Sequence, residues 1–218
     1  MVSGLDRRAG QNGPVSDYGI PLLENDLDGD PLRQFASWFD EAGVAGVREP
    51  QAAALATASG DGVPSVRMVL VKAFDERGFV FFSDYASRKG RELAVNPRAA
   101  LLFHWDPLGR QVRIEGPVER TSAEESAAYI RTRPRSSQVS ALASPQSQTI
   151  ESREALERRV ADLERRYAGS ELPMPSSWGG FRLVPEALEF WQQRHDRLHD
   201  RLSFRRAGEG WRVERLAP

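Results

Sequence analysis

The chain has 218 residues, with 30 basic against 31 acidic side chains and no cysteine. That length suits one large domain or two small ones. Balanced charge argues against a global nucleic-acid footprint, and the lack of cysteine excludes disulfides, thiolate nucleophiles and cysteine-ligated clusters.

Residues 1–20 are rich in Gly, Ser, Asp and Arg and are expected to form a flexible arm ahead of a single domain over 21–218. The opening "MVSGLDRRAGQNG" has no apolar signal core, and no apolar run approaches the roughly 18 residues of a membrane span. A soluble, cytoplasmic protein is the expectation. At Asp30, "DPLRQFASWFDEA" starts a helix with an Asp and a Pro, and Leu32, Phe35, Trp38 and Phe39 form its apolar stripe.

Strands follow: "AAALATAS", then "PSVRMVLVKAF" after a Gly-Asp-Gly turn, then "FVFFS" after "DERG". "SRKGRELAVNP" reads as a short helix capped by Ser87. "RAALLFHW" and "RQVRIEGPVER" are two more strands. "SAEESAAYIRTR" opens in capping-box style. Pro134 ends that helix and starts the next, and "SREALERRVADLERRYAG" is a third, amphipathic one. "GGFRLVPEALEFWQ" and "LSFRRAGEGWRVERL" return to strands. The order strands, helices, strands predicts an α+β fold around an antiparallel barrel or sheet.

No dinucleotide fingerprint, Walker loop, metalloprotease motif or nucleophile elbow is present. The stretch "WQQRHDRLHDR" (191–201) holds two of the three histidines. A zinc site there would need a third ligand, and no metal is expected. Read as a strand, its tail puts Arg197, His199 and Arg201 on one face and Leu198 and Leu202 on the other. A solvated edge strand would look the same, but the neighbouring Trp191 suits a flat aromatic ligand bearing anionic groups.

Similar combinations recur. Arg67 and Lys72 end an otherwise apolar strand, with opposite parity; a long ligand or a bulge would reconcile them. Arg88 and Lys89 sit in the first turn of a helix, where cations oppose the helix dipole unless an anion or solvent attends them. Tyr129, Arg133 and Ser137 follow at spacing four, and Ser137 falls in the first turn after Pro134. Gln146, Ser147 and Gln111 are neutral groups able to orient a polar ring. Together these features predict more than one phosphate and a heteroaromatic ring.

"RMVLVK", "SRKGRELAVNPRAALLFHW", "RQVRIEGPVER", "RPRSSQ", "WGGFR", "EFWQ" and "RLHDR" resemble, in order, the pyridoxine (pyridoxamine) 5'-phosphate oxidase family. The resemblance runs from about Asp26 to the end of the chain. It implies an FMN-binding split β-barrel with surrounding helices. It also implies a homodimer in which residues of both chains line each flavin site, with neither nucleic acid nor membrane as partner. The implied reaction is oxidation of pyridoxamine or pyridoxine 5'-phosphate to pyridoxal 5'-phosphate, with O2 as acceptor and H2O2 released. By motif matching it implies FMN contacts from Arg67, Met68, Val69, Leu70, Val71, Lys72, Phe82, Ser83, Arg88, Lys89, Gln111, Gln146, Ser147, Trp191 and Arg201. The implied substrate contacts are Lys72, Tyr129, Arg133, Ser137, Arg197, Leu198 and His199, with Arg197 and His199 in the catalytic role. Phe82 stands where many relatives have Tyr, and "PVSDY" replaces a more basic N-terminal arm. Two rivals are a related FMN oxidase of a phenazine precursor, whose substrate lacks phosphate, and a non-catalytic binder of FMN or pyridoxal phosphate.

Overall fold

A computed structural model describes residues 20–218, so the expected N-terminal arm lies almost wholly outside the described residues. Helix α1 (Pro31–Val44) starts where the sequence places it, with the Asp30 side chain accepting from the Leu32 N–H. Strands β1 (Ala52–Ala58), β2 (Pro64–Asp75) and β3 (Gly78–Asp84) form a meander, followed by helix α2 (Arg88–Val95) capped by Ser87. Strands β4 (Arg98–Trp105) and β5 (Arg110–Arg120) form a long hairpin. Helices α3 (Ala123–Thr132), α4 (Arg135–Ala143) and α5 (Arg153–Arg166) come next. Strands β6 (Trp178–Leu183), β7 (Ala187–Gln192), β8 (Asp200–Ala207) and β9 (Gly210–Arg215) complete the described chain.

Neighbouring strands run β4-β1-β2-β3-β6-β5, and β5 pairs back to β4, closing a six-stranded antiparallel barrel. Closure is possible because β5 is long and is shared by several partners. Its first half pairs with β4 and β7, and its last three residues pair with β6. Strands β7, β8 and β9 extend the sheet outward from β5.

The barrel interior is aromatic. Phe35 of α1 meets Phe74, Phe79 and Phe103 at 4.9 Å between ring centroids, in edge-on contacts. Such geometry suits the ring quadrupoles. Phe35 is fully buried, so its truncation to Ala is expected to cost about 3–5 kcal/mol. Strand β6 is buried on both faces, because α3 covers its outside. This explains the glycines of "WGGFR": a Cβ on Gly180 would lie 2.3 Å from Thr121 Oγ1, and the Gly180 N–H donates to Ser126 of α3.

The strand reading of "RHDRLHDR" is corrected at its start. β8 begins only at Asp200; residues His195–Arg197 form one 3-10 turn, and Arg197 takes a left-handed φ of 61°. The turn is held by the Arg194 N–H donating to His199 Nδ1 and by the Leu198 N–H donating to the His195 carbonyl. Leu198 is consequently 70% exposed, whereas Leu202 is fully buried, so the two leucines do not share a packed face.

Candidate functional site

A cleft of about 310 Å³ lies between the middle of β2, the end of β3, the start of α2, the end of α3 and the Gln146 loop. Met68, Val69, Leu70 and Lys72 line one wall, Phe82, Ser83 and Lys89 another, and Tyr129, Arg133, Gln146 and Trp178 the rest. Three cations face it and no carboxylate does. The Lys89 ammonium donates only to neutral oxygens within it, Ser83 Oγ at 2.9 Å and Gln146 Oε1 at 3.2 Å. Burial and the nearby charge of Arg67 hold the Lys89 pKa below its ordinary value, with Asp84 opposing. A half-buried ammonium that shares its surroundings with another cation, and is hydrogen-bonded only to neutral oxygens, is suited to an anionic group.

The aromatic part is a stack. Phe82 and Tyr129 lie face to face with centroids 3.8 Å apart, and the Trp178 ring lies nearly parallel beside the pair, 5.3 Å from Phe82 and 6.2 Å from Tyr129. Burial raises the Tyr129 pKa, only partly offset by Arg133, so its hydroxyl stays a donor across the neutral range.

A bulge, one of two features that could have aimed Arg67 and Lys72 at one ligand, is present at Lys72, where Val71 pairs with Phe81 and Ala73 with Val80, but it does not bring Arg67 to the cleft. Lys72 keeps the strand face of Met68 and Leu70 and lines the cleft with them. Val71 points into the core, so only its backbone is available to a ligand. Arg67 does not line the cleft. It reaches across the barrel end to Thr57, Ser65 and Glu92. Arg88 is exposed and paired with Glu92 at 2.8 Å. Ser147 is exposed beside Gln146, with a left-handed φ of 65°. Ser137 lies in the first turn of α4, as expected, but outside the residues that line the cleft.

The remaining candidates gather elsewhere. Gln111 of β5 pairs with Trp191 of β7, which pairs with Arg201 of β8, so the three form a row across the sheet. The His199 ring lies 4.6 Å from that of Trp191, and Arg197 and Leu198 are exposed in the turn beside it. Arg201 is engaged by the buried Glu189, which accepts from its Nε at 2.8 Å and from Arg113 at 2.5 Å. One chain therefore gathers the expected residues into two separate clusters on different parts of its barrel. Between them the outer sheet face exposes Met68, Leu70 and Leu102.

Motif reading missed Trp178, Glu92 and Glu189. Trp178 opens "WGGFR", and Glu92 stands four residues after Arg88, a spacing that marks an ion pair on a helix. Glu189 lies within "EFWQ", but only strand pairing reveals that it faces Arg113 and Arg201.

The split barrel carries on its flank an acid-free cationic cleft with stacked aromatic rings, a lining whose chemistry suits a flat, anionic ligand. Residues 39–167 match the family described as pyridoxamine 5'-phosphate oxidase, and residues 178–218 match the pyridoxine 5'-phosphate oxidase C-terminal dimerisation region. The pyridoxine/pyridoxamine 5'-phosphate oxidase of Rubrobacter xylanophilus is 59% identical over 197 residues, covering 90% of this chain and 91% of the relative. That of Bordetella avium is 57% identical over 198 residues, covering 90% and 93%. Among solved structures, PhzG of Burkholderia lata, in complex with tetrahydrophenazine-1-carboxylic acid, is 36% identical with a TM-score of 0.86, covering 92% of this chain and 98% of that one. A pyridoxamine 5'-phosphate oxidase-related, FMN binding protein of Nostoc punctiforme, 16% identical with a TM-score of 0.69, shares the fold. The chain belongs to the pyridoxamine 5'-phosphate oxidase family and is an oxidoreductase of the flavoprotein class. Among the described residues, no helix is long and apolar enough to cross a membrane.

Proposed function

We propose that the protein oxidises pyridoxamine 5'-phosphate or pyridoxine 5'-phosphate to pyridoxal 5'-phosphate, with FMN as cofactor and O2 as final acceptor. The observation that carries this reading is the cleft itself: Lys72, Lys89 and Arg133 without an acid, beside stacked rings. The fit to FMN rests on Lys89, a half-buried cation whose hydrogen-bond partners in the cleft are neutral. Lys89, Ser83 and Gln146, with Arg67 and Arg88 behind them, would hold FMN. When bound, FMN supplies the two-electron acceptor for the hydride from substrate C4' and passes the electrons to O2, giving H2O2.

The chain's own groups do the rest. Arg133 and the Tyr129 hydroxyl grip the substrate phosphate, and the bulged Lys72 adds a third donor. Binding energy from that non-reacting phosphate orients the ring. Arg197 covers the substrate and stabilises charge that changes during oxidation, and His199 donates to a ring substituent or its water. For the amine substrate, the resulting imine takes up water and releases ammonia.

Two chains would complete each site, bringing the Gln111–Trp191–Arg201 row and the Arg197–His199 turn of one chain to the cleft of the other. The matched dimerisation region and the exposed apolar residues Met68, Leu70 and Leu102 support this. Sedimentation of the flavin-loaded protein should give a dimer at micromolar concentration, and a monomer with flavin bound would contradict it.

The likeness to PhzG raises the phenazine-precursor reading. Tyr129 and Arg133 in the cleft argue for a phosphorylated substrate instead, as does the higher identity to the oxidases of the vitamin B6 phosphates. The test is to load the protein with FMN, supply pyridoxamine 5'-phosphate, and record aldehyde and peroxide. Equal amounts of pyridoxal 5'-phosphate and peroxide are expected. A protein that is colourless and refuses FMN, or is yellow but inert, would sink the reading; the second outcome would leave a binder.

A further inference from the structure

Behind the cleft, at the open end of the barrel, the buried Glu92 of α2 collects four donors. Its Oε2 accepts from Thr57 Oγ1 at 2.5 Å and Ser65 Oγ at 2.6 Å, and lies 3.3 Å from the Arg67 guanidinium. Its Oε1 accepts from Arg88 Nε at 2.8 Å. The two hydroxyls are themselves held from behind. Arg67 donates to Thr57 Oγ1 at 2.5 Å and also to Ser65 Oγ, and its NH1 donates to the Leu55 carbonyl. The network is closed: each hydroxyl gives its proton to Glu92 and receives one from Arg67. Burial alone would push the Glu92 carboxyl up, but the hydrogen bonds from Ser65, Thr57 and Arg88 outweigh it and hold the pKa at about 2.

A single carboxylate between two arginines does not neutralise them, and Lys89 follows Arg88 directly along the helix. Arg67, Arg88 and Lys89 outnumber Glu92 and the Asp84 carboxylate that also acts on Lys89, so the cluster beside Ser83 and Gln146 keeps a net positive charge that suits a phosphate. Glu92 also occupies one edge of each guanidinium, so Arg67 cannot swing into solvent and the terminal nitrogens of Arg88 stay available. A fixed fork loses less entropy on binding an anion than a free one.

We propose that Glu92 is a positioning residue for the cofactor phosphate: it sets Arg67 and Arg88 in place and thereby makes the site prefer phosphorylated flavin over riboflavin. This rests on the reading of the cleft as an FMN site. Neither the ring nor the ribityl chain of a flavin needs this cluster, so the two flavins separate a specific effect from general loosening of the fold.

The experiment loads wild type, Glu92→Gln and Ser65→Ala with FMN or with riboflavin and measures each dissociation constant from flavin fluorescence on dilution. In Glu92→Gln an amide N–H2 meets the donors of Arg67 and Arg88. Its FMN dissociation constant is expected to rise roughly ten- to hundredfold, the worth of a misplaced charge-assisted contact, while that for riboflavin hardly moves. Ser65→Ala removes one hydroxyl and leaves the ion pairs, so it should show the same selective loss at a few-fold level, even if Glu92→Gln fails to fold. A wild type that prefers FMN, with both variants keeping that preference or losing both flavins equally, overturns the role of Glu92 alone. A wild type that binds FMN no better than riboflavin overturns the cofactor reading as well.

Discussion

The backbone N–H of Arg194 donates to Nδ1 of His199 across 3.1 Å, closing the turn that carries Arg197. With Nδ1 as acceptor, the proton of the neutral ring sits on Nε2 and faces away from the turn. His199→Asn should keep an acceptor near the Nδ1 position but lose the Nε2–H donor. Its melting temperature should stay close to wild type while kcat/KM falls by about tenfold, the worth of one hydrogen bond to substrate. Thermal melts and steady-state kinetics check this. A large loss of stability would make His199 a structural residue only.

Arg197 and Arg201 lie four residues apart and should fail differently. Arg197 is exposed in the turn, whereas Arg201 is ion-paired to the buried Glu189. Arg197→Met should keep FMN and lose roughly 10²–10³ in kcat, by analogy with removal of one donor that acts in the transition state. Arg201→Met should weaken FMN and also lower stability, because among the described residues Glu189 is left with Arg113 as its one remaining charge partner. FMN titrations beside kinetics separate the two. An Arg197 variant with wild-type kcat and KM would remove it from the mechanism.

These contrasts show what the sequence could and could not disclose. The helix starts at Asp30, Ser87 and Ser122 were legible because a cap is a local hydrogen bond. The β1–β2–β3 meander was legible because short apolar runs are separated by glycine-containing turns. Lys72 was legible as a parity conflict with Arg67, and the conflict stands: Lys72 lines the cleft with Met68 and Leu70, while Arg67 turns to Thr57, Ser65 and Glu92. The turn at His195–Arg197 was not, since a hydrogen bond from Arg194 to a side chain five residues on leaves no periodic trace. Nor was the separation of the cleft from the Gln111–Trp191–Arg201 row, because motif order says nothing about which side of a barrel each strand presents.

Lys89 links FMN affinity to pH. Burial and Arg67 lower its pKa in the protein without ligand, so it loses its proton before an ordinary lysine would at 10.5. A bound phosphate favours the charged form, so binding should take up a proton once the free site has begun to lose it. FMN affinity should therefore be flat near neutrality and fall with rising pH, beginning below 10.5. Lys89→Met should bind more weakly at neutral pH and show a flatter profile. A wild-type affinity constant from pH 7 to 10.5 would contradict the assignment of Lys89 to the phosphate.

Glu92 makes an opposite contribution at low pH. Its folded pKa of about 2 lies below the ordinary 4.5. The stability it adds is complete above 4.5 and is lost as pH falls towards 2. The difference in unfolding free energy between wild type and Glu92→Gln should thus be constant at neutral pH and shrink through that acid window. Urea titrations across it measure the difference directly; a gap that widens on acidification would mean that Glu92 is not ionised in the folded protein.

Tyr129 gives the sharpest test of substrate class. Its ring stacks on Phe82 at 3.8 Å, and burial keeps its hydroxyl protonated, so ring and hydroxyl have separable roles. Tyr129→Phe keeps the stack and removes one donor. Arg133→Met removes a charge from the same wall of the cleft. If both groups hold the substrate phosphate, KM for pyridoxamine 5'-phosphate should rise by about fivefold to tenfold in Tyr129→Phe and by more in Arg133→Met, since bonds to charged groups are worth about 1.5–3 kcal/mol against about 1 for neutral ones. Unphosphorylated pyridoxamine makes neither contact, so whatever slow turnover it supports should be the same in wild type and both variants. The phenazine-type reading makes the contrary claim: a flat substrate without phosphate would gain nothing from Arg133, and neither variant would discriminate between the phosphorylated and unphosphorylated amines. Measuring kcat/KM for the two amines on all three proteins decides between them, because the ratio cancels any general change in the flavin or the fold.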